Sequence, residues 1–240
     1  MKTADAFGVY SMTAVTAVTA QNTTGVHSVH PVPAKIVRDQ IAACFNDIGA
    51  DAIKIGMLGS AEIAAGVASA ISKISRKVPV VLDPVMLSTS GRTLLSRDGI
   101  VVLKTRLLPL AMLITPNLPE ATRLTGVRVS ARKHAEAAGR ELMQLGAKAA
   151  LIKGGHGTSA TVDDVLVWEG GVEIYAFPRI RTKHTHGTGC TLSAAIACGL
   201  AQGLPLSVAV GKAREFVQNA IETAPGFGRG HGPLNYFSRD

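Results

Sequence analysis

The run HTHGTGC (184–190) is built of turn-forming glycine, threonine and histidine, and it passes without a break into the apolar pattern TLSAAIACG (191–199). Backbone N–H groups of a glycine-rich loop entering a helix converge on one point, and the helix dipole adds partial positive charge there. Such a seam holds anions. Cys190 stands in it, where the field is expected to favour the thiolate and bring its pKa down from about 8.5. The residue can then act as a base or a nucleophile; the ordinary alternative for a free cysteine is a small apolar packing role. Three other segments place polar groups just after apolar runs. VPVVL (78–82) ends in Asp83-Pro84-Val85-Met86, MLIT (112–115) runs into Pro116-Asn117-Leu118-Pro119-Glu120, and ALIK ends in Lys153-Gly154-Gly155-His156. Singly, each has a bland reading: Asp83 caps a turn, Glu120 sits in the first turn of a helix, and the glycines reverse the chain. Together they bring carboxylates, an amine and a glycine-rich anion site to one rim. Those are the requirements of phosphoryl transfer: hydrated Mg²⁺ on carboxylates, a lysine for phosphates, and N–H donors for developing charge. The sequence has no GxxxxGK followed by Ser or Thr, so the nucleotide site is of another kind than a P-loop.

The elements that must position these groups follow from periodicity. Short apolar runs at 52–56, 78–82, 112–115 and 149–153 read as buried strands, and the segments 34–48, 60–77 and 130–145 between them read as helices. That order implies βαβ units and a mostly parallel central sheet covered by helices on both faces. Residues 165–168 and 173–177 flank Glu169-Gly170-Gly171 and read as a hairpin. Two helices close the chain, beginning at Cys190 and near Pro205. With 240 residues and 47% hydrophobic content the chain can bury a full core, and we expect one domain over 1–240. In an open parallel sheet ligands lie beyond the carboxyl ends of the strands, which is where Asp83, Asn117, Glu120 and Lys153 fall.

Composition narrows the partners. The net charge of +8 is carried by scattered residues and aromatics are only 4%, too few for base-stacking platforms, so no nucleic acid is expected. A basic balance suits small anionic substrates equally well. No stretch is long and apolar enough to span a bilayer, so no membrane partner is expected. The opening MKTADAFGVYSMTAVTAVTA mimics a signal peptide, but Asp5 and the repeated threonines spoil its apolar region, and a cytoplasmic location is expected. Cysteines at 44, 190 and 198 give an odd count without CxxC spacing, against a disulfide framework and a zinc site. A Cys190 dyad with His184 or His186 would leave Asp83, Glu120 and Lys153 idle.

The segments TAQNT (19–23), IGMLG (55–59), LDPVM (82–86), TPNLPEA (115–121), KGGH (153–156) and HGTGCTLSAAIA (186–197) resemble the hydroxymethylpyrimidine and phosphomethylpyrimidine kinases, members of the ribokinase superfamily. The match runs in order along nearly the whole chain, and the cysteine in GTGC, where sugar kinases of the superfamily usually carry an aspartate, is its most specific feature. The resemblance implies a ribokinase-like α/β fold and phosphorylation of a hydroxymethylpyrimidine, its monophosphate, or both, with ATP and Mg²⁺, towards thiamine. It makes Cys190 the catalytic base and Gly187, Thr188, Gly189 and Cys190 the anion hole. Gln21 and Met57 would line the pyrimidine pocket, Asp83 and Glu120 would act through Mg²⁺, and Lys153, Thr188 and Asn117 would serve ATP, Asn117 completing an N-x-x-E pattern with Glu120. It also implies a homodimer. Family members open with a strand and a turn of the kind GSD followed by SGGAGIQAD, whereas this sequence starts at Met1-Lys2-Thr3, inside the helix that follows. The first strand is therefore expected to be missing and the natural polypeptide to be longer. Two other readings stay open: a pyridoxal or pyridoxine kinase of the same superfamily, and a truncated, non-catalytic small-molecule binding protein.

Overall fold

The computed structural model describes residues 1–237 except 75, 76, 89, 90, 92, 131, 156 and 158, so His156 of the KGGH segment lies outside the described residues. Its centre is a six-stranded sheet in the order β3-β4-β5-β6-β7-β8. Strands β3 (Ile53–Ile55), β4 (Val80–Leu82), β5 (Leu113–Ile114) and β6 (Ala149–Ile152) run parallel, and the hairpin of β7 (Thr161–Trp168) and β8 (Gly171–Pro178) adds antiparallel to β6. Alternation within the strands is apolar on both sides, as a doubly covered sheet demands. Val80, Leu82, Ile114, Ala150 and Ile152 enter one core, while Val81, Leu113, Ala149 and Leu151 enter the other.

Helices α3 (Ala61–Ser72), α5 (Leu118–Thr125) and α6 (Arg132–Gln144) contribute to the first core, with α2 (Ala34–Asp47) packed on α3. The second is closed by α7 (Thr188–Ala201) and α8 (Leu206–Glu222). Local sequence sets several of the boundaries. Ser60 accepts from the Ile63 N–H at 3.2 Å to start α3, Ser96 does the same for Gly99 at the head of α4 (Arg97–Val102), and the left-handed Gly126 (φ 77°) ends α5. The chain opens on α1 (Lys2–Ala6), and the outer edge of β3 pairs with no described strand.

A hairpin, like the short α4, is absent from the sequence expectations. Strands β1 (Ala17–Asn22) and β2 (Gly25–Pro31) form a separate antiparallel hairpin, bulged between Ala20 and Gln21. The segment after α8 laces it down: His231 N–H donates to the Thr23 carbonyl at 2.8 Å, and His186 N–H donates to the Gly232 carbonyl at 3.1 Å. The hairpin tip and the loop before α7 are thereby tied to one strap.

On the opposite side of the sheet's carboxyl edge a buried ion pair fixes the start of the Gly154 loop. Asp164 on β7 accepts the Gly154 N–H at 2.7 Å, and its other oxygen stands 2.9 Å from Nε of Arg214 on α8. That Nε–H is out of line for a hydrogen bond, so the attraction is coulombic. The guanidinium also lies 4.5 Å from the centre of the Phe177 ring. Removing one partner leaves a buried charge uncompensated. Arg214→Met is therefore expected to lower unfolding free energy in urea by about 3–5 kcal/mol, against less than about 0.5 kcal/mol for the exposed neighbour Lys212→Met; equal, small losses would show that the pair does not hold the loop.

Candidate active site

Asp83 follows β4 directly and is 2% exposed. Its N–H donates to the Ile55 carbonyl at 2.9 Å, so the neighbouring strand sets the turn that aims the carboxylate. One oxygen accepts from Lys153 Nζ at 2.9 Å and from Thr115 Oγ1 at 3.3 Å; the other accepts from Ser193 Oγ at 3.3 Å. Burial alone would push the Asp83 carboxyl up. The ammonium groups of Lys153 and Lys54, with the hydrogen bonds from Lys153 and Ser193, outweigh burial and hold it below the ordinary carboxylate value. Lys153 answers in kind: burial would lower it, but Asp83 and Glu120 keep it above an ordinary lysine. Both charges are thus present at neutral pH and depend on each other.

Asn117 and Glu120 form a reciprocal cap on α5. The Asn117 side chain accepts from the Glu120 N–H at 2.9 Å, and Glu120 Oε2 accepts from the Asn117 N–H at 2.8 Å. The N-x-x-E spacing is therefore what a helix start uses, and it brings the Glu120 carboxylate, buried and raised mainly by that burial, within the field of Lys153 and Asp83. Lys153 is tied to the same place by its N–H, which donates to the Pro116 carbonyl at 2.9 Å.

The loop before α7 closes the cluster from above. Gly187 is the N-cap in the left-handed region (φ 84°), where a side chain would be strained. The Thr188 N–H donates to the Thr185 carbonyl at 3.3 Å, which leaves the Gly189 and Cys190 N–H groups as the first-turn donors without an intrahelical acceptor. Thr188 Oγ1 donates to the Thr185 carbonyl at 2.8 Å, which leaves its lone pairs but not its proton for a ligand. A Cβ on Gly189 would stand 3.1 Å from Lys153 Nζ, so glycine lets the ammonium approach the helix start.

Cys190 corrects one expectation. Its thiol is raised above the ordinary value, not lowered: desolvation by the surrounding walls and the carboxylates Asp83 and Glu120 outweigh the opposing charges of Lys54 and Lys153. The side chain nevertheless keeps solvent contact in an open cleft. The walls stand around the thiol without covering it, so the desolvation that leads the shift is partial, and the Asp83 and Glu120 carboxylates add to it.

Gln21 and Met57, expected to line a pyrimidine pocket, make their hydrogen bonds outside this cluster. Gln21 stands on the β1–β2 hairpin with Nε2 3.5 Å from His186 Nε2, beside a cleft of about 370 Å³ lined by Gln21, Asn22, Thr23, His186, His231 and Pro233. The Met57 carbonyl accepts from Thr16 Oγ1 at 2.7 Å, which joins the end of β3 to the segment leading into the hairpin. Among the described residues no group of three or more His, Cys, Asp and Glu side chains is arranged to hold a metal, and no helix is long and apolar enough to cross a membrane. Sequence reasoning missed Lys54, Ser193 and Asp164. Ser193 was visible as the position one turn beyond Gly189 on α7, and Lys54 as a cation inside an otherwise apolar strand.

Comparison with known proteins places this geometry among relatives. A family model described as phosphomethylpyrimidine kinase matches residues 1–235. The thiamine biosynthesis bifunctional protein ThiED of Geobacter sulfurreducens is 45% identical over 236 residues, which cover 98% of this chain and 48% of that protein, so the chain spans about half the length of this relative. The crystal structure of a phosphomethylpyrimidine kinase from Clostridium difficile superposes with a TM-score of 0.81 at 40% identity, covering 92% of this chain and 90% of the other. The ADP complex of Bacillus subtilis pyridoxal kinase superposes with a TM-score of 0.88 at 33% identity, covering 98% and 89%. The raised thiol gives a direct test of the resting site: alkylation of Cys190 by iodoacetamide, followed by mass spectrometry of its peptide, is expected to reach half its maximal rate above pH ~8.5, where a free thiol does. Full reactivity at pH 7 would mean that the helix field prevails.

Proposed function

The chain belongs to the phosphomethylpyrimidine kinase family, and from that membership we propose that it transfers the γ-phosphoryl group of ATP to 4-amino-5-hydroxymethyl-2-methylpyrimidine, its monophosphate, or both, to make the diphosphate used in thiamine biosynthesis. The observation that carries the reading is the convergence of Asp83, Lys153 and the Gly189–Cys190 helix start, with Lys153 Nζ bonded to Asp83 at 2.9 Å and lying under Gly189. Phosphoryl transfer needs little covalent help from the protein; it needs positioning and charge stabilisation. The first-turn N–H groups of α7 and the Lys153 ammonium supply that to the transferring group. Gln21 and Met57 bound the acceptor side, and Asn117 and Thr188 flank the nucleotide side.

Hard carboxylate oxygens at Asp83 and Glu120, whose near positions are already engaged by Lys153, Thr115, Ser193 and the Asn117 N–H, suit an ion that keeps its waters, as Mg²⁺ does. When bound, Mg²⁺ would neutralise phosphate oxygens; Asp83 and Glu120 would hold it through those waters. Cys190 is the base in this scheme. With the thiol raised, only a minority is thiolate at pH 7, but that thiolate is a strong proton acceptor for the neutral hydroxymethyl group. A phosphate monoester is already an anion at that pH and attacks without losing a proton. The fold over residues 1–240 acts here as one catalytic unit, and a homodimer in the cytoplasm fits the family. The closeness to a pyridoxal kinase supports a second acceptor, a hydroxymethylated pyridine, and both rings belong in the same assay.

Cys190→Ala is expected to lower phosphorylation of the alcohol at least about a hundredfold, the usual contribution of general base catalysis, and to affect the monophosphate less. In the wild type, kcat for the alcohol should rise with pH through the ordinary thiol range, because the thiolate fraction of a raised thiol is still growing there, while kcat for the monophosphate should not follow it. Equal losses on both acceptors, or a flat alcohol profile, would remove the thiol from the proton transfer. Asp83→Ala and Glu120→Ala should each need more Mg²⁺ for half-maximal rate; an unchanged requirement would make both carboxylates structural.

A further inference from the structure

Lys54 is a cation that the scheme above leaves without work. It sits in the middle of β3, paired in register with Val81 of β4, and so projects to the face that α7 covers. The residue is only partly exposed, and its side chain folds back along the strand until Nζ lies over Gly56, where any Cβ would collide with it. Among the described residues Lys54 has no carboxylate within 4 Å and makes no hydrogen bond. A half-buried ammonium that feels Asp83 only at a distance, with no hydrogen bond of its own, is unfavourable, and a lysine on an edge strand could reach water by extending. Its folded-back course instead carries the charge towards the carboxyl end of the sheet.

There it meets the site from the side opposite Lys153. In the order β3-β4-β5-β6, Asp83 ends β4, Lys54 comes from one strand away on one side, and Lys153 from two strands away on the other. Lys153 is committed to Asp83 and to the Gly189 helix start. Lys54 lies three residues before Met57, whose carbonyl is bonded to Thr16 ahead of the Gln21 hairpin, so it stands on the acceptor side.

We propose that Lys54 binds the phosphate of a phosphomonoester acceptor and so selects for the second of two successive phosphorylations. This rests on the kinase reading above. The neutral alcohol offers Lys54 nothing to neutralise. A monoester brings about two negative charges to a site that already contains Asp83, Glu120 and the nucleotide's phosphates, and a counter-charge on the acceptor side is needed to admit it. In the transfer, one oxygen of the acceptor phosphate forms the new bond to the γ-phosphorus while the bond from that phosphorus to the β-bridging oxygen breaks and ADP leaves. No proton has to be removed. Lys54 holds the acceptor phosphate oxygens that do not attack, which aligns the one that does.

The test is calorimetric titration, without ATP, of the hydroxymethylpyrimidine and of its monophosphate into wild type, Lys54→Met and Lys54→Arg, with thermal unfolding to establish that each variant is folded. Lys54→Met should lose at least about tenfold more affinity for the monophosphate than for the alcohol, Lys54→Arg should recover most of that difference, and in turnover KM for the monophosphate should rise more than kcat falls. If wild type binds both pyrimidines and Lys54→Met weakens them equally, the role of Lys54 is overturned and the kinase reading stands. If wild type binds neither, the kinase reading itself fails and the assignment of Lys54 with it. Should Lys54→Met not fold, Lys54→Gln takes its place in the same comparison.

Discussion

The contact between the Asp83 carboxylate and the Lys153 ammonium, 2.9 Å apart with both groups almost out of water, is the constraint around which the rest of the site is arranged. Neither charge can be buried alone, since the desolvation of an isolated carboxylate or ammonium exceeds what a fold can spare. The two residues come from the ends of strands that are not neighbours, β4 and β6, so they meet only if β5 keeps both in register. Everything local follows from that meeting. Thr115 at the end of β5 fills in beneath Asp83, Ser193 comes down from α7 to its second oxygen, and Gly189 withholds a side chain so that the amine can reach the helix start. Behind the amine, Asp164 and Arg214 clamp the next residue, Gly154.

The parallel strands and the three long helices between them were legible in the sequence because burial on both faces leaves continuous apolar runs, and a helix leaves a 3.6-residue period. The rim was legible for a related reason: a polar group directly after a buried strand has nowhere to go but the carboxyl edge of the sheet. The β1–β2 hairpin was not. Its strands are largely exposed, so no apolar alternation marks them, and TAVTAVTA reads more readily as a leader-like stretch than as a strand. The turn at Asn22-Thr23-Thr24-Gly25, in which Asn22 Oδ1 accepts the Thr24 N–H at 2.9 Å, was the available signal. The Cys190 thiol was misjudged for a different reason. A helix N-terminus favours a thiolate, but the nearby Asp83 and Glu120 carboxylates and the loss of solvent are long-range effects that no local spacing discloses.

If the proposed function holds, these charges account for how one site would serve two acceptors of opposite need. An alcohol requires a base and no counter-charge; a phosphate monoester requires a counter-charge and no base. In the proposed scheme Cys190 and Lys54 would meet those needs separately, while the Asp83–Lys153 pair and the α7 N–H groups would serve whichever acceptor is present. In that scheme the raised thiol follows from placing a base beside Asp83 and Glu120, and the alcohol step would carry the cost of its small thiolate fraction.

The most direct test of this account is a double-mutant cycle on the central pair, with Asp83→Asn, Lys153→Met and the two combined, read by urea unfolding and by single-turnover transfer from ATP. If each charge is held in place by the other, the single variants each lose several kcal/mol in unfolding and the double variant loses less than their sum, with a coupling of about 2 kcal/mol or more; transfer should be no slower in the double variant than in the worse single one. Additive losses in both measurements would contradict the claim that the site depends on this pair.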